Sequence, residues 1–169
     1  AYPVSGTGKV APLVLFKAKP DGLLVEDIRG RVPGDGIRIY DDADFAGMRA
    51  AGRVAAEILD MVGEFVVPGA TTAVIDDFIR EEIVRRGVVS ATIGYKGYQH
   101  ASCISVNHVV CHGIPGAKVL NNGDILNIDV TVIVDGWFGD TSRMYVAGTA
   151  PRKAERLIEV THEALMRGI

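Results

Sequence analysis

The chain has 169 residues, of which 48% are hydrophobic and 23% are charged, with 18 Lys and Arg against 21 Asp and Glu. This length fits a single domain with its own hydrophobic core, and the composition excludes an intrinsically disordered chain. The net charge of −3 gives no basic field that would attract nucleic acid or an anionic membrane, and no apolar run is long enough to span a bilayer. The N-terminus lacks the basic start and apolar core of a signal sequence, so we expect a cytoplasmic protein in which Cys103 and Cys111 stay reduced.

Residues 1–36 are rich in Gly, Pro and small polar residues, and we interpret them as an N-terminal extension or tag remnant. The apolar patch at residues 13–16 predicts one short strand. Residues 5–9 superficially resemble a phosphate-binding loop, but they lack the full Gly-x4-Gly-Lys-Ser/Thr spacing and follow no apolar strand, so we predict no phosphate site there. The folded domain is therefore expected over residues 37–169.

Apolar residues recurring at steps of three and four predict two helices at the start of this domain. The first begins near Asp44, with Asp42 or Asp44 as its N-cap, and it ends before Pro68. The second begins at residue 71 or 72 and ends with a cationic turn and a glycine stop at Gly87. The apolar faces that we expect to be buried are Phe45, Met48, Gly52, Ala55, Leu59 and Val62 in the first helix, and Val74, Ile75, Phe78, Ile79 and Ile83 in the second.

Two β-branched runs, residues 124–134 and 137–147, flank the pair Asp135-Gly136. An Asp-Gly pair between such runs is a strong short-range signal for a β-hairpin. A third helix is predicted to start near Pro151, a residue suited to a first helical turn, with apolar residues again at helical steps.

Asp129 lies inside the first of these strands, where a buried carboxylate is costly unless it is paired or binds a cation. Counting outward from a two-residue turn places Thr131 opposite Asp140. Asp129 is two residues further along its strand, so it shares a face with Asp140 as a diagonal neighbour, with Cβ atoms within about 7–8 Å. A divalent cation would remove the repulsion between the two carboxylates. The residues alone leave two alternatives open: Asp129 accepting backbone hydrogen bonds at a sheet irregularity, and Asp140 belonging to a turn or bulge.

The segment from residue 103 to residue 115 combines a second candidate hairpin with a histidine. Residues 103–106 and 109–111 lie on either side of Asn107-His108, which we interpret as a hairpin turn. His112 follows directly and precedes a Gly and a Pro that end the strand. A single histidine is more often structural than catalytic, so the residues alone leave its role open.

Tyr95 and Tyr98 lie upstream of this segment, with glycines between and beside them. Two aromatic side chains in a loop are commonly core residues, but they can also form the wall of an apolar pocket for an unbranched side chain. The composition does not choose between these interpretations.

Taken together, five separate stretches resemble the bacterial type I methionine aminopeptidases. They are residues 94–98, 102–107, 109–115, 123–131 and 139–142. The similarity runs in one register from about Ile37 to the end of the chain, and residues 1–36 do not obviously belong to it. Several motifs in the same order make the resemblance highly specific. One departure is Thr92, at a position where relatives often have cysteine.

This resemblance implies an α+β protein with the pita-bread (creatinase/aminopeptidase-like) fold, in which two pseudo-symmetric halves share a curved antiparallel sheet. Residues 37–169 would form the N-terminal half, an antiparallel sheet with covering helices. The cleft of the family holds two divalent metal ions, with Co, Mn, Fe and Zn as candidates. The resemblance implies that Asp129 is a ligand of one metal and that Asp140 bridges both. It implies that His112 is catalytic and binds the substrate by contacting the scissile amide. The methionine pocket would be lined by Tyr95, Tyr98 and Cys103.

The activity that the resemblance implies is metal-dependent removal of the initiator methionine from nascent proteins and peptides, by attack of metal-activated water on the first peptide bond. Expected partners are N-termini that begin with Met, with the ribosome as a further candidate, and we expect a monomer. The family takes its remaining ligands, a histidine and two glutamates, from its second half. His162 and Glu163 match no ligand motif, so we expect the 169-residue chain alone to be inactive and to bind metal weakly or not at all.

Two alternatives come from other functional classes. A proline-specific peptidase of the same fold would share the paired aspartates, although residues 94–98 and 111–115 argue against it. A non-enzymatic binding module of this fold would usually have lost metal ligands, whereas both aspartates are present in this chain.

Overall fold

The computed structural model of the protein describes residues 36–169. The expectations for the extension, including the strand at residues 13–16 and the absence of a phosphate site at residues 5–9, lie outside the described residues. The elements are α1 (Asp42–Val62), α2 (Thr72–Arg85), β1 (Val89–Ser90), β2 (Ser102–Val106), β3 (Ile125–Val134), β4 (Trp137–Val146) and α3 (Arg152–Gly168). Single turns of 3-10 helix occupy Gly63–Phe65 and Tyr95–Gly97.

The four strands form one antiparallel sheet with β3 at its centre. β1 and β2 pair with β3 in succession, at residues 132–133 and 126–130, and β4 pairs with β3 along its whole length. An antiparallel sheet covered by helices is the α+β architecture expected from the sequence.

The hydrophobic core lies between this sheet and the first two helices. Every second side chain of β3 is fully buried, because successive residues of a strand point to opposite faces. The core residues contributed by these elements are Leu126, Ile128, Val130 and Val132 from β3, Ala55, Ile58, Leu59 and Val62 from α1, and Ile75, Ile79 and Ile83 from α2. The other face of β3 therefore remains available for a site.

The start of α1 differs from the prediction, because Asp41 is its N-cap rather than Asp42 or Asp44. The Asp41 carboxylate accepts hydrogen bonds from the backbone N–H groups of Ala43 and Asp44, and Asp44 accepts one from the Asp41 N–H in return. This reciprocal capping box satisfies N–H groups that have no partner within the helix. The cap of α2 at Thr71 and the left-handed Gly87 after its end agree with the prediction.

The buried stripe of α1 is also rotated from the prediction over its first two turns. Phe45 and Met48 are 40% and 43% exposed, whereas Ala51 is fully buried. At this end α1 approaches the sheet through Gly47, where an added Cβ would overlap the Trp137 ring. The stripe thus starts at the small residues Gly47 and Ala51, which allow closer packing than Phe45 and Met48. In α2, Val74 is likewise half exposed rather than buried.

The predicted hairpin around Asn107-His108 is wrong. A turn does form, with Asn107 at a φ of +54°, but residues 109–111 are not a strand. Val110 is 92% exposed, so this run has no buried face to hold it in a sheet. All five residues of β2 pair instead with β3.

Helix α3 begins after Pro151, as predicted, and none of its residues is buried. Within residues 36–169 no helix combines the length and the apolar character that crossing a bilayer requires. Cys103 and Cys111 are not joined in a disulfide.

Candidate active site

The β3–β4 hairpin has the register predicted from its two-residue turn. Asp135 and Gly136 have φ angles of +49° and +81°, the left-handed pair that a type I′ turn requires. Thr131 consequently lies opposite Asp140, and Asp129 lies opposite Ser142. Asp129 and Asp140 therefore project from the same face of the sheet as diagonal neighbours.

Both structural alternatives for these aspartates are excluded by the ladder itself. The pairing of β3 with β4 is continuous from Ile125 to Val134, with no irregularity at Asp129 and no bulge at Asp140. Asp129 is half-buried and Asp140 is exposed, on the face opposite the helical core. The two carboxyl groups thus have no structural task in the core of the described residues.

The electrostatics of the pair reflect this proximity. Burial raises the pKa of Asp129, and the charge of Asp140 and a hydrogen bond with its carboxyl group raise that pKa further. The nearby His112 acts in the opposite direction and lowers it. Two carboxyl groups in this relation resist simultaneous ionisation unless a cation compensates their charge.

These two residues fit a divalent cation, since hard metal ions prefer carboxylate oxygens and would relieve the repulsion between them. Within residues 36–169, however, no group of three or more His, Cys, Asp or Glu side chains is arranged to hold a metal ion. The described residues therefore supply two acidic ligands of a candidate metal centre and not a closed coordination sphere.

Gly139 fixes the position of β4 beside this pair. A Cβ at this residue would lie 2.1 Å from the backbone oxygen of Ala51, so only glycine lets α1 approach the strand this closely. The next residue is Asp140. Close contact between helix and strand backbones thus holds the strand that carries one of the two carboxylates.

A cleft of about 690 Å³ opens beside the aspartates. It is lined by Tyr95, Tyr98, Cys103 and His112, the four residues for which the resemblance implies pocket or catalytic roles. Its remaining lining residues are Ala91, Thr92, Lys96, Gly97, Ile114, Thr131 and Phe138. Thr131 connects this cleft to the two aspartates, because its hydroxyl donates a 3.0 Å hydrogen bond to Asp140 Oδ1.

Tyr98 and Cys103 form one wall of the cleft, and the Tyr98 hydroxyl makes polar contacts that hold this wall in place. The Tyr98 hydroxyl donates to the Ser102 carbonyl at 2.8 Å and lies 3.6 Å from Cys103 Sγ. Burial raises the pKa of both side chains, so both stay protonated at neutral pH. Tyr95, by contrast, is 61% exposed at the rim, with Lys96 Nζ 5.4 Å from its ring centre.

The backbone around His112 places its ring at the cleft. His112 has a φ of +54°, an uncommon conformation that its neighbours must enforce. The Gly113 carbonyl accepts a hydrogen bond from Ile104 N at 2.8 Å, and the Gly113 N–H donates to Ser105 Oγ at 3.1 Å. A Cβ at Gly113 would lie 2.1 Å from the Ile104 oxygen. Close packing of Gly113 against β2 therefore fixes the position of His112.

Comparison with known proteins identifies the family. The model of metallopeptidase family M24 matches residues 46–169. The chain belongs to metallopeptidase family M24.

Among M24 relatives, the chain is 52% identical over 133 residues to the methionine aminopeptidase of Rickettsia prowazekii and 50% identical over 131 residues to that of Escherichia coli K12. These matches cover 79% and 76% of this chain but 51% and 50% of the relatives. The chain thus spans about half the length of the curated relatives that it matches.

Solved structures give the same result for the fold. The crystal structure of the Rickettsia prowazekii methionine aminopeptidase matches with a TM-score of 0.77 and 52% identity, covering 79% of this chain and 54% of that one. An Xaa-Pro dipeptidase from Bacillus anthracis matches with a TM-score of 0.66 at 18% identity, covering 76% of this chain and 35% of that one, a likeness of fold alone. The expected pita-bread architecture of an M24 protein is confirmed, and the described residues form a part of it.

Sequence reasoning missed several cleft residues of this M24 chain. Phe138 lies two residues before Asp140 and shares its face, so the same outward count from the turn would have found it. Lys96 had no signal, because a surface lysine is common and its place at the rim depends on the left-handed backbone of this turn. His162 and Glu163 are exposed on α3, where Glu163 pairs with Arg167, away from the cleft residues.

Proposed function

We propose that residues 37–169 form the N-terminal part of a methionine aminopeptidase domain, which removes the N-terminal methionine from nascent proteins and peptides. The observation that carries the proposal is the position of Asp129 and Asp140 on one sheet face, next to a cleft with an aromatic and sulfur-containing wall. The relatives named methionine aminopeptidase, at 50–52% identity, support the same substrate class.

The cleft suits an unbranched apolar side chain. Its volume of about 690 Å³ lies in the range of small-molecule sites, about 300–1,000 Å³. Tyr98, Cys103 and Phe138 supply a polarisable and largely apolar surface. A methionine side chain placed there would make favourable sulfur–aromatic contacts, and its three rotatable bonds allow it to fit an irregular pocket.

Asp129 and Asp140 would supply carboxylate ligands to the two divalent metal ions. Co, Mn, Fe and Zn are the candidates, because each accepts a mixed set of carboxylate and imidazole ligands. Bound metal would supply Lewis-acid polarisation of the peptide carbonyl. The remaining ligands would come from the half of the M24 domain that the described residues do not include, so residues 37–169 alone are expected to be inactive.

His112 would bind the amide that is cleaved. Its position in the cleft and its proximity to Asp129 allow its ring to donate a hydrogen bond to the oxygen on which negative charge develops. Thr131 would orient Asp140, since a hydrogen bond to a ligating carboxylate fixes its direction. Tyr98 and Cys103 would enclose the first side chain, and Tyr95 would cover it from the rim.

The biological setting that fits this activity is the cytoplasm, where new chains emerge with an N-terminal Met. The proposed partners are these N-termini and the ribosome that presents them, and the proposed working form is a monomer. Direct association with ribosomes is measured by co-sedimentation at low and high salt, and the working form by light scattering.

The test is release of methionine from the peptide Met-Ala-Ser with added Co²⁺ or Mn²⁺. It compares residues 1–169 with an extended protein that also contains the second half of the M24 domain. We expect turnover only by the extended protein, and a loss of at least about 10³-fold in kcat for its Asp129→Asn variant, because a ligand acting in the transition state is removed. The matched control is Asp77→Asn, an exposed aspartate on α2.

The result that contradicts the proposal is an extended, folded, metal-loaded protein that releases no methionine. Robust turnover by residues 1–169 alone would contradict only the incompleteness of the site. Substrates beginning with Ala-Pro test the proline-specific alternative, which the fold likeness to an Xaa-Pro dipeptidase at 18% identity does not favour. A non-enzymatic module would bind peptide without cleaving either substrate.

A further inference from the structure

The Asp76 carboxyl group is buried on α2, with 2% of the residue exposed. Its Oδ1 accepts hydrogen bonds from Ala101 N at 3.0 Å, from Ser102 N at 2.9 Å and from Ser102 Oγ at 2.7 Å. Its Oδ2 lies 3.1 Å from His100 Nδ1. A buried carboxyl group is unfavourable unless its oxygens are bonded in this way.

All four of these contacts are made to residues 100–102, immediately before and at the start of β2. The carboxyl group also forms an ion pair with Arg80 on its own helix, at 3.8 Å from Oδ2. The same short stretch of chain carries Tyr98 and Cys103, which form one wall of the cleft. The Tyr98 hydroxyl donates to the Ser102 carbonyl, and the Tyr98 ring packs edge-on against His100 with centroids 5.4 Å apart. The residues that Asp76 contacts in this stretch thus begin two positions after Tyr98 and end directly before Cys103.

Two further hydrogen bonds hold residues 99 and 100, but neither could take over the hydrogen bonds that Asp76 accepts. Arg80, one turn along α2, donates to the Gln99 carbonyl at 2.7 Å. The Thr92 hydroxyl donates to the His100 carbonyl at 2.8 Å. Both bonds end on backbone carbonyl groups, whereas the two N–H groups at residues 101 and 102 depend on Asp76 for their acceptor.

We propose that Asp76 is a positioning residue for the substrate pocket: it fixes residues 98–103 so that Tyr98 and Cys103 fit the first side chain of the substrate. This inference rests on the function proposed above. Asp76 is not among the residues that line the cleft, so it acts through the wall and not on the substrate.

Two substitutions separate this role from a general loss of charge. Asp76→Asn keeps a carbonyl oxygen that can accept from Ala101, Ser102 and the Ser102 hydroxyl, and it should preserve the wall. Asp76→Ala leaves these buried donors without an acceptor, and the segment must move to find other partners or water. Asp77→Ala, the same change at the neighbouring exposed residue, is the matched control.

Steady-state kinetics of the extended protein with Met-Ala-Ser give the first readout. We expect Asp76→Ala to raise KM about tenfold with kcat within about twofold, because binding of the first side chain is impaired while the metal ligands are untouched. Asp76→Asn and Asp77→Ala should leave both constants within about twofold of wild type. An equal fall in kcat for both Asp76 variants, with KM unchanged, would overturn the inference.

Alkylation of Cys103 by iodoacetamide, followed by peptide mass spectrometry, gives a second readout that does not depend on turnover. Cys111 is exposed and serves as the internal reference. In Asp76→Ala we expect the rate at Cys103 to rise at least about tenfold relative to Cys111, and well above the rate in Asp76→Asn, which removes the same charge but keeps the thiol enclosed. An unchanged ratio in folded protein would refute the role of Asp76.

The two readouts distinguish failure of this inference from failure of the proposed function. If wild type releases no methionine but Cys103 becomes reactive in Asp76→Ala, the proposed function is wrong and control of the segment by Asp76 stands. Should Asp76→Ala fail to fold, Ser102→Ala removes only one of the bonds to the carboxyl group. That variant must then show a smaller rise in both KM and Cys103 reactivity, and no rise in either would count against the inference.

Discussion

Thr131 and Asp140 face each other across the β3–β4 ladder, and the Thr131 hydroxyl donates a 3.0 Å hydrogen bond to Asp140 Oδ1. The Asp140 carboxyl group also interacts with that of Asp129: burial raises the pKa of Asp129, and the charge of Asp140 and a hydrogen bond with it raise that pKa further. One threonine thus orients one of the two carboxylates proposed to hold the metal. The same threonine also lines the cleft, so the proposed metal and substrate sites share a residue.

Replacing Thr131 with Val should weaken metal binding without disturbing the fold. The loss of a bond to a ligating carboxylate typically reduces metal affinity about 10–100-fold. The measurement is a Mn²⁺ titration of the extended protein followed by electron paramagnetic resonance. Thr149→Val, at an exposed residue after β4, is the control, and an affinity equal to that of the control would argue against this role.

Gly113→Ala should displace His112, because the new Cβ would lie 2.1 Å from the Ile104 oxygen. We expect kcat for Met-Ala-Ser to fall about 10²-fold, the range for loss of one positioned hydrogen-bond donor. Gly116→Ala is the matched control, since nothing lies within 4 Å of a Cβ at that position. Equal activity of the two variants would show that His112 does not need this packing.

Gly139→Ala should destabilise the contact between α1 and β4. The added Cβ would lie 2.1 Å from the Ala51 oxygen, and forced overpacking typically costs about 1–3 kcal/mol. Gly52→Ala has open space around its Cβ and should instead raise stability by about 0.5–1 kcal/mol, because Gly lowers helix stability. Urea unfolding of both variants measures the free energies. A Gly139→Ala protein as stable as wild type would contradict the close contact described above.

Stability should depend on pH through Asp124. Hydrogen bonds from the Asn121 backbone N–H and from the Asn107 amide hold the pKa of this carboxyl group below its usual range. A lowered pKa in the folded state contributes stability above the unfolded pKa of about 3.9, and that contribution is lost as pH falls through the folded pKa.

The substitution Asp124→Asn tests this sign. We expect the variant to be about 1 kcal/mol less stable than wild type at pH 7, with the difference shrinking below about pH 4. Urea unfolding between pH 7 and pH 3 measures the free energy of unfolding of wild type and variant at each pH, with Asp77→Asn as the control. If the difference in free energy of unfolding between wild type and Asp124→Asn stays constant or grows as pH falls, the charge of Asp124 does not stabilise the fold.

Sequence reasoning succeeded where the signal was local. The Asp135-Gly136 turn fixes a register by itself, because each residue outward from a two-residue turn has only one partner. That count placed Asp129 and Asp140 on one face, and the resemblance of the flanking segments supplied the chemistry. The N-cap of α1 was missed by one residue, since three aspartates among residues 41–44 all have the chemistry of a cap.

The failures occurred where partners are far apart along the chain. Residues 109–111 have the composition of a strand, but β2 pairs with β3, about 20 residues downstream, and no local pattern encodes that choice. Asp76 gave no signal, because its acceptor role depends on residues 24 to 26 positions away. Phe45 and Met48 were expected to be buried, although the helix contacts Trp137 through Gly47 instead.

The most direct test of the account is the Mn²⁺ affinity of the extended protein with Asp129→Asn, Asp140→Asn or the control Asp77→Asn. We expect each of the first two changes to weaken Mn²⁺ binding at least about 100-fold, since each removes a charged ligand, and the third to leave it unchanged. Mn²⁺ binding of wild-type strength in either of the first two variants would contradict the claim that these facing carboxylates hold the metal.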